Sequence, residues 1–210
     1  MKKNLTEIII LTDRSGSMKS IQSDMEGGLK SFIEKQKEEK GECRITHYEF
    51  DDVIDLKINN VNIKDVEQIT ISPRGMTALF DALGKVINEV GERLSKTKEK
   101  DKPESIIVIT ATDGLENASK EFNSRQIAEM IKHQEIKYSW KFIYLGANQD
   151  AFAIGKAYGF QGATSLTYGT DSKSIGNTFA VLSEGVSKMR CCSTADYSFS
   201  DSQRKSAVGL

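Results

Sequence analysis

Three short segments of the chain carry the kinds of oxygen-bearing side chain that bind hard metal ions. Asp13, Ser15 and Ser17 follow the apolar run of residues 8–11, so one carboxylate and two hydroxyls lie on the tight turn after a buried strand. Mg²⁺ prefers oxygen ligands in a nearly octahedral shell, where it keeps several waters and takes few protein carboxylates. Because these three side chains cannot complete such a shell, other loops must supply the remaining ligands.

Two later segments have suitable side chains. Thr77 lies in the segment 75–77, ahead of an amphipathic helix, and Asp113 follows a second apolar run at residues 106–109. We therefore predict one site for a divalent cation, Mg²⁺ or Mn²⁺, whose further ligands come from the segments 75–77 and 112–114. The five positions Asp13, Ser15, Ser17, Thr77 and Asp113 are singled out by the resemblance described next.

The residues around these ligands resemble the metal-ion-dependent adhesion site (MIDAS) of von Willebrand factor type A (vWA) domains. All three parts of that motif occur in the order of the family, at residues 13–18, 75–83 and 107–114. The resemblance covers most of the chain. It implies a vWA domain with a complete MIDAS, similar to the small stand-alone members found in prokaryotic and viral systems.

The resemblance also implies a role for each ligand. Ser15 and Ser17 would coordinate the cation through their hydroxyls, and Thr77 would coordinate it directly or through water. Asp13 and Asp113 would act mainly through water or hydrogen bonds. An open coordination position would then accept the Asp or Glu side chain of a partner protein.

Each predicted ligand also has an interpretation without a metal. The two serines could cap the first helix, Thr77 could cap the second, and residues 113–114 could form a simple turn. Two basic residues, Arg14 and Arg74, stand beside the ligand segments. Either they border the site and favour an acidic partner, or they are ordinary solvated surface residues.

Hydrophobic periodicity predicts the elements that position these loops. Strands are expected at residues 8–11, 44–50, 53–59, 106–109, 140–145 and 163–167, and helices at residues 21–33, 77–94, 124–134, 151–158 and 175–189. This alternation indicates a mostly parallel sheet with helices on both faces, and the alternating polarity of residues 53–59 indicates one antiparallel edge strand. The predicted fold class is α/β, a doubly wound three-layer sandwich of the vWA or Rossmann-like type.

The strand order of such a sheet explains how distant segments could form one site. In the order 3-2-1-4-5-6, the strands that precede Asp13 and Asp113 are neighbours at the point where the winding reverses. Open parallel sheets bind ligands at that point, beyond the carboxyl ends of the strands. Both aspartates and both serines are therefore expected in one crevice.

Length and composition fit a single domain. With 210 residues, of which 38% are hydrophobic, the chain can bury a sizeable core. We predict a vWA domain over residues 1–192 and a flexible tail over residues 193–210, because the tail is rich in serine and lacks apolar periodicity. An alternative has Asp196 or Asp201 of the tail reaching the metal.

Charge and cysteine usage argue against several classes of partner. A net charge of −1 supplies no global basic field that would hold nucleic acid. The apolar run near the N-terminus is shorter than that of a signal peptide or a membrane helix, so we expect a cytoplasmic protein that does not bind membranes. The three cysteines predict reduced thiols rather than a disulfide framework, and His47 and His133 are expected to be structural or solvated.

The sequence favours a binding module over an enzyme. We predict a metal-dependent protein–protein interaction module of an intracellular complex, which binds a partner's carboxylate through the cation and has no catalytic residues. One alternative is a metal-dependent hydrolase or phosphatase. An aspartyl-phosphate phosphatase, however, usually has a second Asp where this chain has Ser15, and neither a G-x-S-x-G segment nor a P-loop occurs. Another alternative is a scaffold in which the cation is purely structural.

Overall fold

The sheet has the predicted architecture and strand order. A computed structural model of the chain describes residues 1–191 and 197–210. Its strands are β1 (Lys2–Asp13), β2 (Glu42–Phe50), β3 (Ile54–Asn62), β4 (Pro103–Thr112), β5 (Lys141–Ala147) and β6 (Ser165–Tyr168). They are ordered β3-β2-β1-β4-β5-β6, and every neighbouring pair is parallel except β2 with β3. The predicted α/β fold with one antiparallel edge strand is therefore confirmed.

Helices cover both faces of this sheet. They are α1 (Gln22–Glu38), α2 (Leu79–Lys96), α3 (Ser124–Tyr138), α4 (Ala151–Ala157), α5 (Ser172–Cys191) and α6 (Asp201–Ala207). Ile8 and Ile10 of β1 pack into the core under α1 and α5, whereas Ile9 and Leu11 pack into the core under α2 and α3. A strand buried on both faces needs apolar residues at every position, which is why this segment is a continuous run rather than an alternating one.

Some element boundaries differ from those that periodicity predicts. Strand β4 begins three residues before the apolar run. Pro103 and Ser105 pair with β1 although their neighbours in the sequence are polar. Helix α2 begins at Leu79, two residues after Thr77. Helix α3 continues to Tyr138 and ends where Ser139 takes a left-handed conformation with φ of 55°. Polar helix and strand ends carry too little periodicity to be located from sequence.

The C-terminal segment is packed where the structure describes it, in contrast to the predicted flexible tail. Phe199 is buried in the core under α5, and the Ala207 carbonyl accepts a hydrogen bond of 3.1 Å from the Gly169 N–H. The Arg204 guanidinium donates to the carbonyls of Gly162, Ala163 and Ser165. The serine-rich composition gave no indication of these contacts, because they depend on a few residues rather than on an apolar periodicity.

The remaining predictions about this segment have separate outcomes. The predicted boundary after residue 192 and the alternative ligand Asp196 lie outside the described residues. Asp201 is exposed at the start of α6, which packs against α5 and β6. The division of the chain into a domain and a tail stays a prediction.

The described cysteines are free thiols, and the two histidines differ in their exposure to solvent. Cys43 is a buried free thiol and Cys191 an exposed one, while Cys192 lies outside the described residues. His133 is exposed on α3, whereas His47 is buried in β2 with its Nε2 at 3.1 Å from the Thr12 hydroxyl. Among the described residues, no helix combines the length and the apolarity that crossing a membrane requires.

Two adjacent glycines in α1 have contrasting surroundings, which gives a matched test of the packing. A Cβ atom at Gly28 would lie 2.0 Å from Cδ2 of Phe179 on α5, whereas one at Gly27 would meet nothing within 4 Å. We expect Gly28→Ala to lower the free energy of unfolding by about 1–3 kcal/mol, because the Phe179 ring must move. Gly27→Ala should raise it by up to about 1 kcal/mol, because alanine is the better helix former. Urea unfolding of both variants checks this, and the same sign for both would contradict the helix packing.

The buried histidine predicts a pH dependence of stability. Burial, together with the nearby Lys57 charge, lowers the pKa of His47 to about 3. Between about pH 6.5 and pH 3 the unfolded chain therefore binds a proton that the folded chain does not. The His47 contribution to stability should therefore fall by about 1.4 kcal/mol for each pH unit of acidification in that range. The raised pKa of Asp13, about 6, acts in the opposite direction below that pH. Urea unfolding at pH 4 to 7 should show that the wild type loses stability relative to His47→Gln as the pH falls, and parallel profiles would contradict this assignment.

Candidate metal centre

The structure brings the five predicted side chains together at one edge of the sheet. Asp13 ends β1, and Asp113 follows the adjacent parallel strand β4, so their loops emerge side by side. The Ser17 hydroxyl donates to Asp113 Oδ1 over 2.7 Å, and the hydroxyls of Ser15 and Ser17 are 3.1 Å apart. The third loop reaches the same point, because a Cβ atom at Gly114 would lie 3.1 Å from Thr77 Oγ1 and 3.8 Å from Asp13 Oδ2.

Asp13 is the most deeply enclosed of the five. Its side chain is 0% exposed, Oδ1 accepts the Ser15 N–H over 2.6 Å, and Oδ2 accepts the Thr112 hydroxyl over 2.5 Å. Burial raises the pKa of Asp13 to about 6; the hydrogen bonds from Thr112 and Ser15 oppose this rise, and the Asp113 charge adds to it. Burial also raises the pKa of Asp113, against the hydrogen bond from Ser17. Two partly desolvated carboxylates therefore face one crevice.

This donor set fits a hard divalent cation. Across the described ranges, no three His, Cys, Asp or Glu side chains are grouped so that they could hold a metal. The candidate ligands here are instead three hydroxyls and two carboxylates, all of them oxygen donors that suit Mg²⁺ or Mn²⁺ better than soft metals. A cation between the two carboxylates would also offset the cost of their burial.

Thr112 is a member of the site that the predicted ligand set left out. Its hydroxyl donates to Asp13, lies 3.0 Å from the Gly114 carbonyl and accepts the Gly114 N–H over 3.1 Å. One side chain thus fixes both the buried carboxylate of β1 and the turn after β4. Its position next to Asp113 was the available signal, but a threonine that ends a buried strand is common and does not stand out.

The loop that carries Thr77 is held by backbone and side-chain contacts from the two loops on either side of it. The Arg74 N–H donates to the Arg14 carbonyl, and the Gly16 N–H donates to the Gly75 carbonyl. On the other side, the Thr77 N–H donates to Asn117 Oδ1 over 2.9 Å, and the Asn117 N–H returns a hydrogen bond of 3.0 Å to the Thr77 carbonyl. The position of Thr77 is therefore fixed by both ligand loops that flank it.

Arg14 is neither a free border charge nor a solvated residue, which corrects both interpretations of its sequence position. It is 3% exposed, its Nε donates to Asp51 Oδ2 over 3.0 Å, and its Nη1 lies 3.2 Å from Glu49 Oε2. Burial would raise the pKa of Asp51, but hydrogen bonds from Arg14 and the Val53 N–H hold it below its usual value. Arg74 is exposed, and its Nε also pairs with Asp51 over 2.7 Å. Both arginines thus pair with carboxylates within the protein and tie the candidate ligand loops to the β2–β3 turn.

Comparisons with known proteins establish the fold. No family model and no curated protein matches the sequence. Among solved structures, the chain is similar to proximal thread matrix protein 1 (PTMP1) from the mussel byssus, with a TM-score of 0.60 and 17% identity over 89% of this chain and 46% of that one. It is also similar to the ArnB paralog VWA2 from Sulfolobus acidocaldarius, with a TM-score of 0.56 and 20% identity over 85% of this chain and 44% of that one.

A third neighbour is matched over nearly its whole length. The vWF domain of the type V pili tip protein Mfa5 from Porphyromonas gingivalis gives a TM-score of 0.58 and 9% identity over 93% of this chain and 98% of that one. These neighbours confirm the vWA fold, although the chain spans less than half of the PTMP1 and VWA2 chains. In one PTMP1 structure, with 15% identity to this chain, zinc occupies the MIDAS motif.

Gly75 offers a test of the loop geometry. It has a φ of 67°, and a Cβ atom there would lie 2.0 Å from Asp52 Oδ1, which accepts the Met76 N–H. We expect Gly75→Ala to weaken Mg²⁺ or Mn²⁺ binding by about tenfold, because the strained backbone and the displaced carboxylate would shift Thr77. Gly91→Ala on α2 is the control, since a Cβ atom there meets nothing within 4 Å. Equal affinities in the two variants, measured by calorimetry, would show that this loop does not hold the cation.

Proposed function

We propose that this protein is a metal-dependent protein-binding module. Its complete MIDAS would hold one Mg²⁺ or Mn²⁺ through the following residues: Asp13, Ser15, Ser17, Thr77 and Asp113. The observation that carries the proposal is the convergence of three hydroxyls, one buried carboxylate and one half-buried carboxylate at one point of the sheet edge. The zinc-occupied MIDAS in a PTMP1 structure supports a divalent cation at such a site.

The charge distribution favours an anionic ligand. Asp13 and Asp113 already accept hydrogen bonds from Thr112, Ser17 and the Ser15 N–H, which draws part of their negative charge away from a cation. The other ligands are neutral hydroxyls. A divalent cation held in this way would stay strongly electrophilic and would bind the carboxylate of a partner's Asp or Glu. Direct ligation would offset the cost of dehydrating that carboxylate.

The main rival is a metal-dependent hydrolase or phosphatase. Such a reaction needs a positioned acid or base beside the metal. The residue two places after Asp13 is Ser15, whose hydroxyl faces Ser17, while His47 is bonded to Thr12 within the sheet. His133 lies on α3 with its ring against Tyr138. These positions support binding rather than catalysis, and we propose that the protein is not an enzyme.

A purely structural cation is the second rival, and the packing argues for a fold that forms without metal. The two cores are built from apolar side chains of the sheet faces and the helices, whose packing involves no cation. We therefore expect circular dichroism to change little on chelation, with the cation adding about 1–4 kcal/mol of stability at saturation. Loss of most of the helical signal in chelator would instead support the structural role.

Calorimetric titration with Mg²⁺ and Mn²⁺ tests the site. Asp13→Ala and Asp113→Ala should each weaken binding by at least about tenfold, because each removes a carboxylate that faces the cation. Asp201→Ala is the matched control, since this carboxylate is exposed at the start of α6, and it should bind like the wild type. Unchanged affinity in both site variants would reject the proposed ligand set.

Affinity capture from the native host separates the functional roles. Wild-type protein should retain a partner in Mg²⁺ and release it in chelator, and Asp13→Ala should not retain it. Asn or Gln in place of the partner's ligating carboxylate should also abolish capture. A partner that binds Asp13→Ala fully in chelator would leave the cation only a structural role.

A further inference from the structure

A cavity of about 560 Å³ opens at the amino edge of the sheet, at the end of the molecule opposite the proposed metal site. Helix α2 leads into β4 and α3 leads into β5, so both helices end at this edge, and the cavity lies between them. Its volume is within the range of small-molecule binding sites. None of the five proposed metal ligands lines it, so this cavity is separate from the function proposed above.

The wall of the cavity on α2 is open because its side chains are small. Asn88, Gly91 and Ser95 line the cavity, and at spacings of three and four residues they share one face of the helix. A Cβ atom at Gly91 would meet nothing within 4 Å. Two buried side chains, Ile87 and Ile106, make part of the lining apolar. The ends of α2 and α3 therefore leave space between them beside an apolar surface.

Trp140 supplies the feature that points to a ligand. Its side chain lines the cavity, is 5% exposed and stacks on Phe142 with 6.2 Å between the ring centroids. The left-handed turn at Ser139 precedes it, and the Trp140 backbone N–H donates to the Gln134 carbonyl over 3.2 Å. The indole N–H has no hydrogen-bond partner among the described residues, yet it is not sealed from solvent. A nearly buried donor is thus left for a group that enters the cavity.

The charges around the cavity disfavour an anion. Lys102 on its rim is paired with Glu99 at 3.0 Å. Glu104 also lines the cavity; its Oε2 accepts the Asn4 N–H, and it pairs with no basic group in the described part of the chain. In addition, α2 and α3 both direct the negative ends of their dipoles toward this edge. A neutral or weakly basic ligand is therefore favoured.

Aromatic side chains favour a flat ligand. Tyr138 and His133 line the same cavity as Trp140, and their rings are in edge-to-face contact with 5.8 Å between the centroids. Aromatic rings stack on one another or meet edge to face, and these contacts add to the burial of apolar area. A flat aromatic molecule gains from them, whereas an aliphatic molecule of similar size does not.

We propose that this cavity binds a flat, uncharged or weakly basic nitrogen heterocycle with fused rings. An in-plane ring nitrogen accepts the Trp140 indole N–H, and the ring system packs against Tyr138, His133 and the apolar lining. A hydrocarbon ring system of the same shape leaves the indole N–H unpaired, so it binds less tightly.

Two soluble probes that differ by one ring nitrogen, 6-hydroxyquinoline and 2-naphthol, test the ligand class. Trp140 is the single tryptophan of the chain, so its indole N–H gives one resonance in a proton–nitrogen correlation spectrum. At neutral pH the quinoline should move that proton downfield and bind about three- to tenfold more tightly than the naphthol, the value of one neutral hydrogen bond. The naphthol should bind without the downfield shift.

Three variants locate the probes, with binding measured by saturation-transfer NMR of the probe signals. Gly91→Leu fills the cavity from α2 and should weaken both probes by at least about tenfold. Gly176→Leu on α5 is the matched control and should bind like the wild type, since a Cβ atom there also meets nothing within 4 Å. Trp140→Phe keeps an aromatic ring and removes the donor, so the two probes should then bind equally.

Several results would overturn the proposal. One is equal affinity of the wild type for the two probes, and another is an indole resonance that does not move with the quinoline. Full binding by Gly91→Leu would show that the probes lie elsewhere on the protein. Failure of both probes to bind at millimolar concentration would also overturn it, and a dimer in solution would then identify a second copy of the chain as the occupant. The metal site is untouched by each of these results.

Discussion

The parallel pairing of β1 with β4 is the constraint on which the whole site depends. Its register places Thr12 beside Ala111, so Asp13 and Thr112 end neighbouring strands at the same level of the sheet. Both strands are buried on both faces along their central apolar runs, and the loops at their carboxyl edge carry the candidate ligands. The hydrogen bond from Thr112 to Asp13 closes this edge, and the turns that follow carry Ser15, Ser17 and Asp113. A slip of this register would separate the two aspartates.

Removing a carboxylate from water costs free energy of solvation, and hydrogen bonds from the loops offset part of that cost. Asp13 is satisfied by one hydroxyl and one N–H, while Asp113 accepts the Ser17 hydroxyl. Away from the crevice, Asp51, Asp52 and Glu116 accept hydrogen bonds that hold the surrounding loops. Carboxylates thus have two separate uses here, because some fasten the loops and others face the crevice. A rigid crevice with concentrated negative charge is what a cation-dependent binding surface needs.

The sequence was sufficient for the fold and for the edge of the sheet where the five predicted side chains meet, although the predicted set left out Thr112, and the reason is local. Two apolar runs, each followed by an aspartate, identify the central strands, and the order of the segments identifies the edge where they meet. The contacts that hold the loops could not be predicted, because Arg14 meets Asp51 and Met76 meets Asp52 across long stretches of chain. Packing of Phe199 and Arg204 likewise depends on partners that composition does not reveal. Local sequence patterns therefore specify helices and strands. The hydrogen bonds and packing contacts that hold the site join residues far apart in the sequence, so local patterns do not predict them.

The most direct test of the account is a crystal structure of the protein grown with Mn²⁺ and measured for anomalous scattering. The account predicts one strong anomalous peak at the carboxyl edge of the sheet, within coordination distance of the Ser15 and Ser17 hydroxyls and close to Thr77, Asp13 and Asp113. It also predicts loops that stay as they are here, since their supports do not involve the cation. A peak elsewhere on the protein, or none at saturating Mn²⁺, would contradict the central claim that these side chains form a metal site.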